Sequence, residues 1–271
     1  MLNAAHDNLA TDYLTADQFG SITESHRIAM EQIQHTHFGH RTHCKVLDLS
    51  VREGVFLKKL HELLPSAEFT GIDVSGELLK RIREMVSVTT IEASAADVTN
   101  YLPPHSQDLV LAHFLNAYIP IHTLFNAAKT LTRATGYFSL MTTTYDSFPV
   151  AQQYLADFIT EGSLLGSVVG HYYKSIVKNT TVAASEEELL KAFATHEFEV
   201  IEHHRLQIPI VLNNIEELAL FGIEGTWFLN NLSIRMLPKQ FLIQRLKRLF
   251  DKVFTFPYQD IHIIDIILAR K

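Results

Sequence analysis

From Lys45 onward, short apolar runs alternate with stretches whose apolar residues recur every three or four positions. The runs KVLDL (45 to 49), EFTGID (68 to 73), VTTIEA (88 to 93), DLVLAH (108 to 113) and YFSLMTT (137 to 143) predict strands. Helices are predicted over 54 to 63, 76 to 85 and 121 to 133, with a short helical turn near Asp97. Strands apolar on both faces that alternate with helices predict a parallel sheet covered on each side. Two later runs, FEVIEHHRLQI (198 to 208) and HIIDIILA (262 to 269), predict a closing antiparallel pair. The fold class is therefore α/β, a doubly wound sheet of seven strands, mostly parallel, with an antiparallel last strand.

Outside this rhythm the pattern is helical. Ser21-Ile-Thr-Glu24 has the spacing of a capping box, and Ile22, Ala29, Met30 and Ile33 predict a helix to about Gln34. Residues 148 to 176 read as helix rich in aromatics (Phe148, Tyr154, Phe158, Tyr172, Tyr173). A second capping box, Ser185-Glu-Glu-Glu188, opens another helix, and 214 to 253 is helical again. No repeat, low-complexity tract or Gly/Ser-rich linker divides the chain. The expectation is one domain over 1–271, with an N-terminal helical lid (1–36) and helical cap insertions at 145–184 and 209–258.

Composition narrows the partners. The 271 residues are 47% hydrophobic and 20% charged, enough for one large core. A formal net charge of -7 removes the broad positive field that nonspecific nucleic-acid binding needs, so no nucleic acid is expected. Cys44 is the only cysteine, which rules out an intrachain disulfide. The start MLNAAHDNLATDY carries acids without a basic flank, and no apolar run reaches the length of a membrane span, so the expected location is cytoplasmic. Phe221, Trp227 and Phe228 in FGIEGTWF serve either core packing, a second cap or a homodimer contact.

The candidate chemistry begins at Val46-Leu-Asp-Leu-Ser-Val-Arg-Glu-Gly54, an apolar strand ending in an acid, then a turn that opens a helix. This run resembles the first motif of class I S-adenosylmethionine-dependent methyltransferases, an apolar strand, Asp, then Gly-x-Gly-x-Gly. Ser50 and Arg52 stand at the first two glycine positions, and Gly54 keeps the third. Four further stretches fall in register. Phe69-Thr-Gly-Ile-Asp73 resembles the second motif, whose acid binds the ribose hydroxyls, with Val74 beside it. Ala95-Ala-Asp97-Val98 resembles the third, where the acid meets the adenine amino group and the next N–H a ring nitrogen. Gln107 to His113 resembles strand four, which borders the reacting methyl group, and Ala134-Thr-Gly136-Tyr-Phe-Ser-Leu the glycine turn into strand five.

The resemblance implies a Rossmann-like fold, S-adenosyl-L-methionine as cofactor, and methyl transfer to an oxygen or nitrogen of a small molecule. It implies cofactor contacts from Asp48, Ser50, Arg52, Gly54, Asp73, Val74, Asp97, Val98 and His113. Arg52 is either a partner for the tail carboxylate or an exposed turn residue; Asp73 and Asp97 could instead cap helices. His113 is the candidate base, its alternative a packed histidine. Tyr118, Tyr145, His171 and Tyr172 are the candidate acceptor residues, and their aromatic character suits an apolar or aromatic acceptor. Tyr13 and Phe19 precede strand one, where relatives fold a segment across the cofactor.

Rival readings follow from the same residues. The altered glycines suit a catalytically silent cofactor-binding or interaction protein, while an NAD-type oxidoreductase would need a G-x-G-x-x-G turn that is absent. His35, His37, His40 and His43 lack the spacing of a zinc site, so no metal is expected. The basic run Lys239, Arg245, Lys247, Arg248 and Lys252 suits a solvated helix face before a membrane-surface helix.

Overall fold

The structure, a computed structural model, describes residues 17–36, 43–115, 118–160, 182–224, 244, 247–248, 250–251 and 253–271. Helix α1 (Ser21–Gln34) precedes β1 (Lys45–Asp48), α2 (Val55–Leu63), β2 (Glu68–Asp73), α3 (Gly76–Met85) and β3 (Thr89–Glu92). A 3-10 turn (Ala95–Asn100), β4 (Gln107–His113), α4 (Ile121–Leu131) and β5 (Thr132–Thr142) follow. The chain continues through α5 (Pro149–Thr160), α6 (Glu186–Thr195), β6 (Glu199–Leu212), α7 (Ile215–Ala219), a π-helical turn (Leu220–Glu224) and β7 (Tyr258–Arg270).

One sheet of seven strands results, in the order β3-β2-β1-β4-β5-β7-β6. The first five are mutually parallel, and β7 enters antiparallel between β5 and β6, leaving β6 at the edge. All seven residues of β4 are buried, as a central parallel strand requires. On one face Leu109, Leu111 and Met141 pack against Phe56, Leu57 and Leu60 of α2 and Ile22, Ala29 and Ile33 of α1. On the other, Val110, Phe138 and Ile267 pack against Phe125 of α4 and Phe193 of α6. Each fully buried side chain of this size contributes about 1.5–3 kcal/mol from area removed from water.

Helix α1 corrects two expectations. It packs against β7 as part of the core layer, so its described residues form a wall and not a lid. Ser21 does not cap it either: Gly20 takes the cap position with φ 73° and no side-chain bond. Asp17 supplies the cap from three residues earlier, with Oδ1 accepting Ile22 N–H at 2.6 Å and Oδ2 accepting Thr23 N–H at 3.2 Å. Ser21 is buried, and its hydroxyl meets His262 Nδ1 at 2.9 Å. The second capping box forms as expected: Glu188 N–H donates to Ser185 Oγ at 3.3 Å, and Ala184 N–H to Glu188 Oε2 at 2.6 Å.

The closing strands run longer than their apolar stretches. Residues Asp265–Arg270 of β7 pair with β5, whereas Tyr258–Ile264 pair only with β6, so a hairpin projects past the end of β5 on the side of the parallel strand tips. The post-β5 turn closes its inner edge: Ile263 N–H donates to Ser147 Oγ at 2.9 Å and Phe148 N–H to Ile261 O at 3.0 Å. Helix α5 is fixed to the same hairpin by buried Asp260, which accepts Val150 N–H at 3.1 Å and Ala151 N–H at 2.8 Å. Tyr258 also donates its hydroxyl to Asp260. Phe148, Ile210, Leu212, Phe221, Phe254 and Tyr258 form a third apolar cluster there, with Phe19 and Tyr154 against it. Phe148 and Tyr154 are thus core of the cap. His171, Tyr172, Tyr173, Trp227, Phe228 and Tyr13 lie outside the described residues.

Replacing Asp260 by Ala leaves two helix N–H donors and a tyrosine hydroxyl without their acceptor. Urea unfolding should show a loss of about 1–3 kcal/mol, largely restored in Asp260→Asn; an unchanged midpoint would remove Asp260 as the anchor of α5.

Candidate active site

Strand order places the reversal of topology between β1 and β4, and all the sequence-predicted donor residues lie at or just past parallel strand tips. The loop after β1 runs from Ser50 to Gly54. Leu49 N–H still pairs with Leu111 O at 3.0 Å, and Val51 N–H reaches across to Ile72 O at 3.0 Å. Gly54 has φ 73°, and a Cβ there would meet Ile82 Cδ1 at 2.1 Å, so glycine is required both by backbone and by space.

Arg52 adopts φ 50°, the left-handed conformation that glycine would take freely. Holding it costs on the order of 1–3 kcal/mol. The compensation is visible: Arg52 N–H donates to Asp73 Oδ2 at 3.0 Å, and Ser75 N–H to Asp73 Oδ1 at 3.0 Å. Asp73 therefore grips the β1 loop and the start of α3 at once. It does not cap α3; Ser75 does, accepting Leu78 N–H at 3.3 Å. An ionised carboxylate has about four acceptor positions, so two remain for a pair of vicinal hydroxyls, and the residue fits a ribose.

Asp48 ends β1 beside it, 3% exposed, with Ser50 N–H donating to Oδ1 at 3.0 Å. Burial pushes its carboxyl up to about 7, the Asp73 charge adds to this, and the Ser50 hydrogen bond and Arg52 oppose it. Glu53 in the loop is also raised, chiefly by burial. Asp97 sits one strand further on, exposed on the 3-10 turn that Ser94 caps through Ala96 N–H at 3.2 Å, while Val98 is fully buried below it. Val74 is half-buried. Asp48, Ser50, Arg52 and Asp73 are thus joined by direct contacts or close charges, Gly54 ends the same loop, and Asp97 is exposed on the turn after β3.

His113 is placed differently. It ends β4 on the α1/α2 face, 7% exposed, with Nε2 at 3.0 Å from Ser139 Oγ and its ring edge-on to Phe56 at 4.5 Å. His26 of α1 contacts the other side of this aromatic group, 5.1 Å from Phe56 and 6.5 Å from His113. Burial, with His26 nearby, holds the His113 imidazole well below its ordinary value, and burial takes His26 down to about 4. This buried imidazole borders the β4 tip, where the sequence places a candidate base. Tyr118 follows β4, half-buried, under the Arg52 guanidinium. Tyr145 follows β5, half-buried, with its N–H donating to Ala183 O at 3.0 Å.

Sequence reasoning missed His26, Ser139, Asp260 and the polar group around Asp265. Arg205 Nη1 lies 3.2 Å from Asp265 Oδ1 and 3.1 Å from Glu186 Oε2, and Nη2 donates to Asp146 Oδ2 at 2.6 Å. Among the described residues Glu186, His203 and Asp265 alone could converge on a metal ion, and the Arg205 guanidinium already stands between the two acids as their cation. Acids inside the otherwise apolar strand 258–270 were the signal available in the sequence. Of the histidine cluster, described His35 pairs with Glu202 at 3.1 Å, and His37 and His40 lie outside the described residues. Of the basic run, Lys247 faces Glu216 at 3.8 Å.

Asp48 gives a pH prediction with a definite sign. Its unfolded carboxyl titrates near 4 and its folded one near 7, so the folded state holds the extra proton between those values and loses stability as pH rises through that window. Asp48→Asn should therefore gain in melting temperature over the parent protein as pH goes from 4 to 8; a constant difference would show that Asp48 is ionised throughout.

Residues 46–136 match the family described as "Methyltransferase domain". Solved structures share the fold across nearly the whole chain at low identity. A candidate methyltransferase from Bacillus halodurans C-125 is 15% identical, with TM-score 0.57, over 91% of this chain and 98% of that one. The geranyl diphosphate C-methyltransferase of Streptomyces coelicolor A3(2), crystallised with S-adenosyl-L-homocysteine, is 12% identical, with TM-score 0.52, over 92% and 76%. The 4+2 cyclase SpnF is 13% identical, with TM-score 0.55, over 91% and 80%. Residues 46–136 thus match a methyltransferase domain, set in the seven-stranded, mostly parallel sheet predicted from the sequence.

Proposed function

We propose that the protein moves a methyl group from S-adenosylmethionine to an oxygen or nitrogen of a small, apolar or aromatic acceptor. The observation that carries this reading is the grouping at the β1/β2 tips: Asp48 and Asp73 side by side, with the glycine-poor loop held in a glycine-like conformation by Asp73. When bound, the sulfonium donor supplies an electrophilic methyl group for in-line displacement. The chain's own part is then to bind, align and keep water out, which can account for much of the rate without a covalent nucleophile.

In this reading Asp73 takes the ribose hydroxyls, Asp97 and Val98 meet the adenine edge, and Ser50 to Gly54 line the tail. Asp48 keeps Ser50 in place from beneath. The buried Phe56, His26 and His113 group forms an apolar wall at the β4 tip. Tyr118 and Tyr145 stand where an acceptor would approach, with His171 and Tyr172 as further candidates. The aromatic cap on the β6–β7 hairpin supports an apolar acceptor, and the small-molecule methyltransferases among the structural neighbours support the size class.

A second reading has its own observation. Arg52 at φ 50° is a departure from the glycine pattern, and SpnF, a cyclase, shares the fold; a protein that holds an adenosyl ligand without transferring methyl fits both facts. Calorimetry separates the readings. Binding of S-adenosylmethionine and S-adenosylhomocysteine, with NAD as control and methyl transfer across an acceptor panel, supports the first; binding without transfer supports the second; no affinity for either sulfur ligand overturns both. Asp73→Asn should weaken S-adenosylhomocysteine by about tenfold or more, since ribose hydroxyls lose charged acceptors; undiminished affinity would remove Asp73 from that role.

A further inference from the structure

Two imidazoles bring polar atoms into the apolar group at the β4 tip. The rings of His26, Phe56 and His113 form a triangle, with centroids 5.1 Å apart from His26 to Phe56, 4.5 Å from Phe56 to His113 and 6.5 Å from His113 to His26. Both histidines are buried, yet each keeps some exposed surface, 5% for His26 and 7% for His113. Ser139 Oγ takes Nε2 of His113 at 3.0 Å, which leaves Nδ1 as the nitrogen open to a ligand. Among the described residues neither ring nitrogen of His26 makes a hydrogen bond. A polar side chain buried to this degree normally has a partner. Rings at this separation can share one oxygen, with a nitrogen of each about 2.8 Å from it.

What such a pair takes follows from charge. Burial, with Lys59 next, takes the His26 imidazole down to about 4, and burial with His26 nearby holds His113 well below its ordinary value. Both rings are uncharged near neutrality and weak as bases. An aryl hydroxyl and an alkylammonium both titrate near about 10, but only the protonated hydroxyl keeps lone pairs for attack. An ammonium would have to give up its proton to a weak base before reacting, and would set a second positive charge beside the sulfonium. We propose that His26 and His113 are the hydrogen-bonding pair of the acceptor site, and that the acceptor is a hydroxyl on an aromatic ring, methylated at oxygen. The inference rests on the methyltransferase reading above and narrows its acceptor atom to oxygen. The O–C bond forms as the S–methyl bond breaks, whose electron pair stays on sulfur, and the hydroxyl proton passes to His113 Nδ1. The positive charge moves from sulfonium to imidazolium, so the net charge of the crevice is unchanged. His26 donates to the same oxygen and aligns it. Ser139 is a positioning residue: by accepting the Nε2 proton it leaves the lone pair on Nδ1.

2-Naphthol, 2-methylnaphthalene and 2-naphthylmethylamine share one ring system and carry a hydroxyl, a methyl and an ammonium group. S-adenosylhomocysteine is titrated first: no affinity there removes the methyltransferase reading, whereas the results on protein that binds it bear on this inference alone. On the loaded full chain, fluorescence titration should give 2-naphthol at least about tenfold tighter than the other two. With S-adenosylmethionine the parent protein should release 2-methoxynaphthalene. His26→Phe and His113→Phe should each abolish the preference over 2-methylnaphthalene, with S-adenosylhomocysteine affinity within about twofold of the parent as the sign of an intact fold. His113→Gln still hydrogen-bonds but cannot take the proton, so it should bind 2-naphthol within about threefold of the parent and lose transfer; it supplies the answer should a phenylalanine variant not fold. Ser139→Ala should lower kcat for 2-naphthol and leave KM unchanged. Equal affinity for the three ligands, a preference for the ammonium, a preference that survives both phenylalanine variants, or 2-naphthol bound and left unmethylated would overturn the proposal.

Discussion

The site depends on one carboxylate doing two jobs. Asp73 accepts N–H groups from Arg52 and Ser75, and these two bonds hold the β1 loop against the start of α3. A loop that has lost two of three glycines would relax toward ordinary negative φ, tilting its N–H groups away from the crevice. The grip on Arg52 N–H opposes that relaxation. Shape at the first turn is thus set partly by the strand-two acid and not by glycine alone, and the recognition carboxylate is also a structural one.

The second support is the long β6–β7 hairpin. Its inner half completes the sheet beside β5; its outer half rises beyond it and carries the aromatic cap. Buried or half-buried polar groups secure the junction. Asp260 holds α5, Ser147 and Phe148 close the β5-facing edge of β7, and Arg205 draws Asp146, Glu186 and Asp265 together. Removing Arg205 would leave fully buried Asp265 to His203, whose Nε2 lies 2.9 Å from its Oδ1. The cap is therefore built on the sheet by directional bonds, while its own interior is packed by aromatic rings.

Much of this was legible in the chain. The alternation from Lys45 to Thr143 located the five parallel strands to within a few residues, because a strand buried on both faces has to be apolar throughout. Asp73, Asp48 and Gly54 were legible because each sits at a strand-to-helix junction. Other features were hidden for physical reasons. The outer half of the hairpin contains Gln207, Pro209 and Gln259, so its apolar pattern is too weak to mark a strand that pairs on one side only. Ser21 had the cap spacing, but the positive φ of Gly20 moved that role to Asp17. His113 ends β4 where a base was expected, and strand parity, shared with Leu109 and Leu111, turns its ring into the α1/α2 layer beside Phe56.

Gly54 is held by its surroundings as well as by its backbone. Ile82 of α3 fills the space where its side chain would be, so this position is fixed by a neighbour two elements away. Arg52, two residues earlier, holds a positive φ with its Cβ in place. The glycine at 54 therefore reports the packing of the scaffold, whereas the arginine at 52 shows that the left-handed turn itself can carry a side chain.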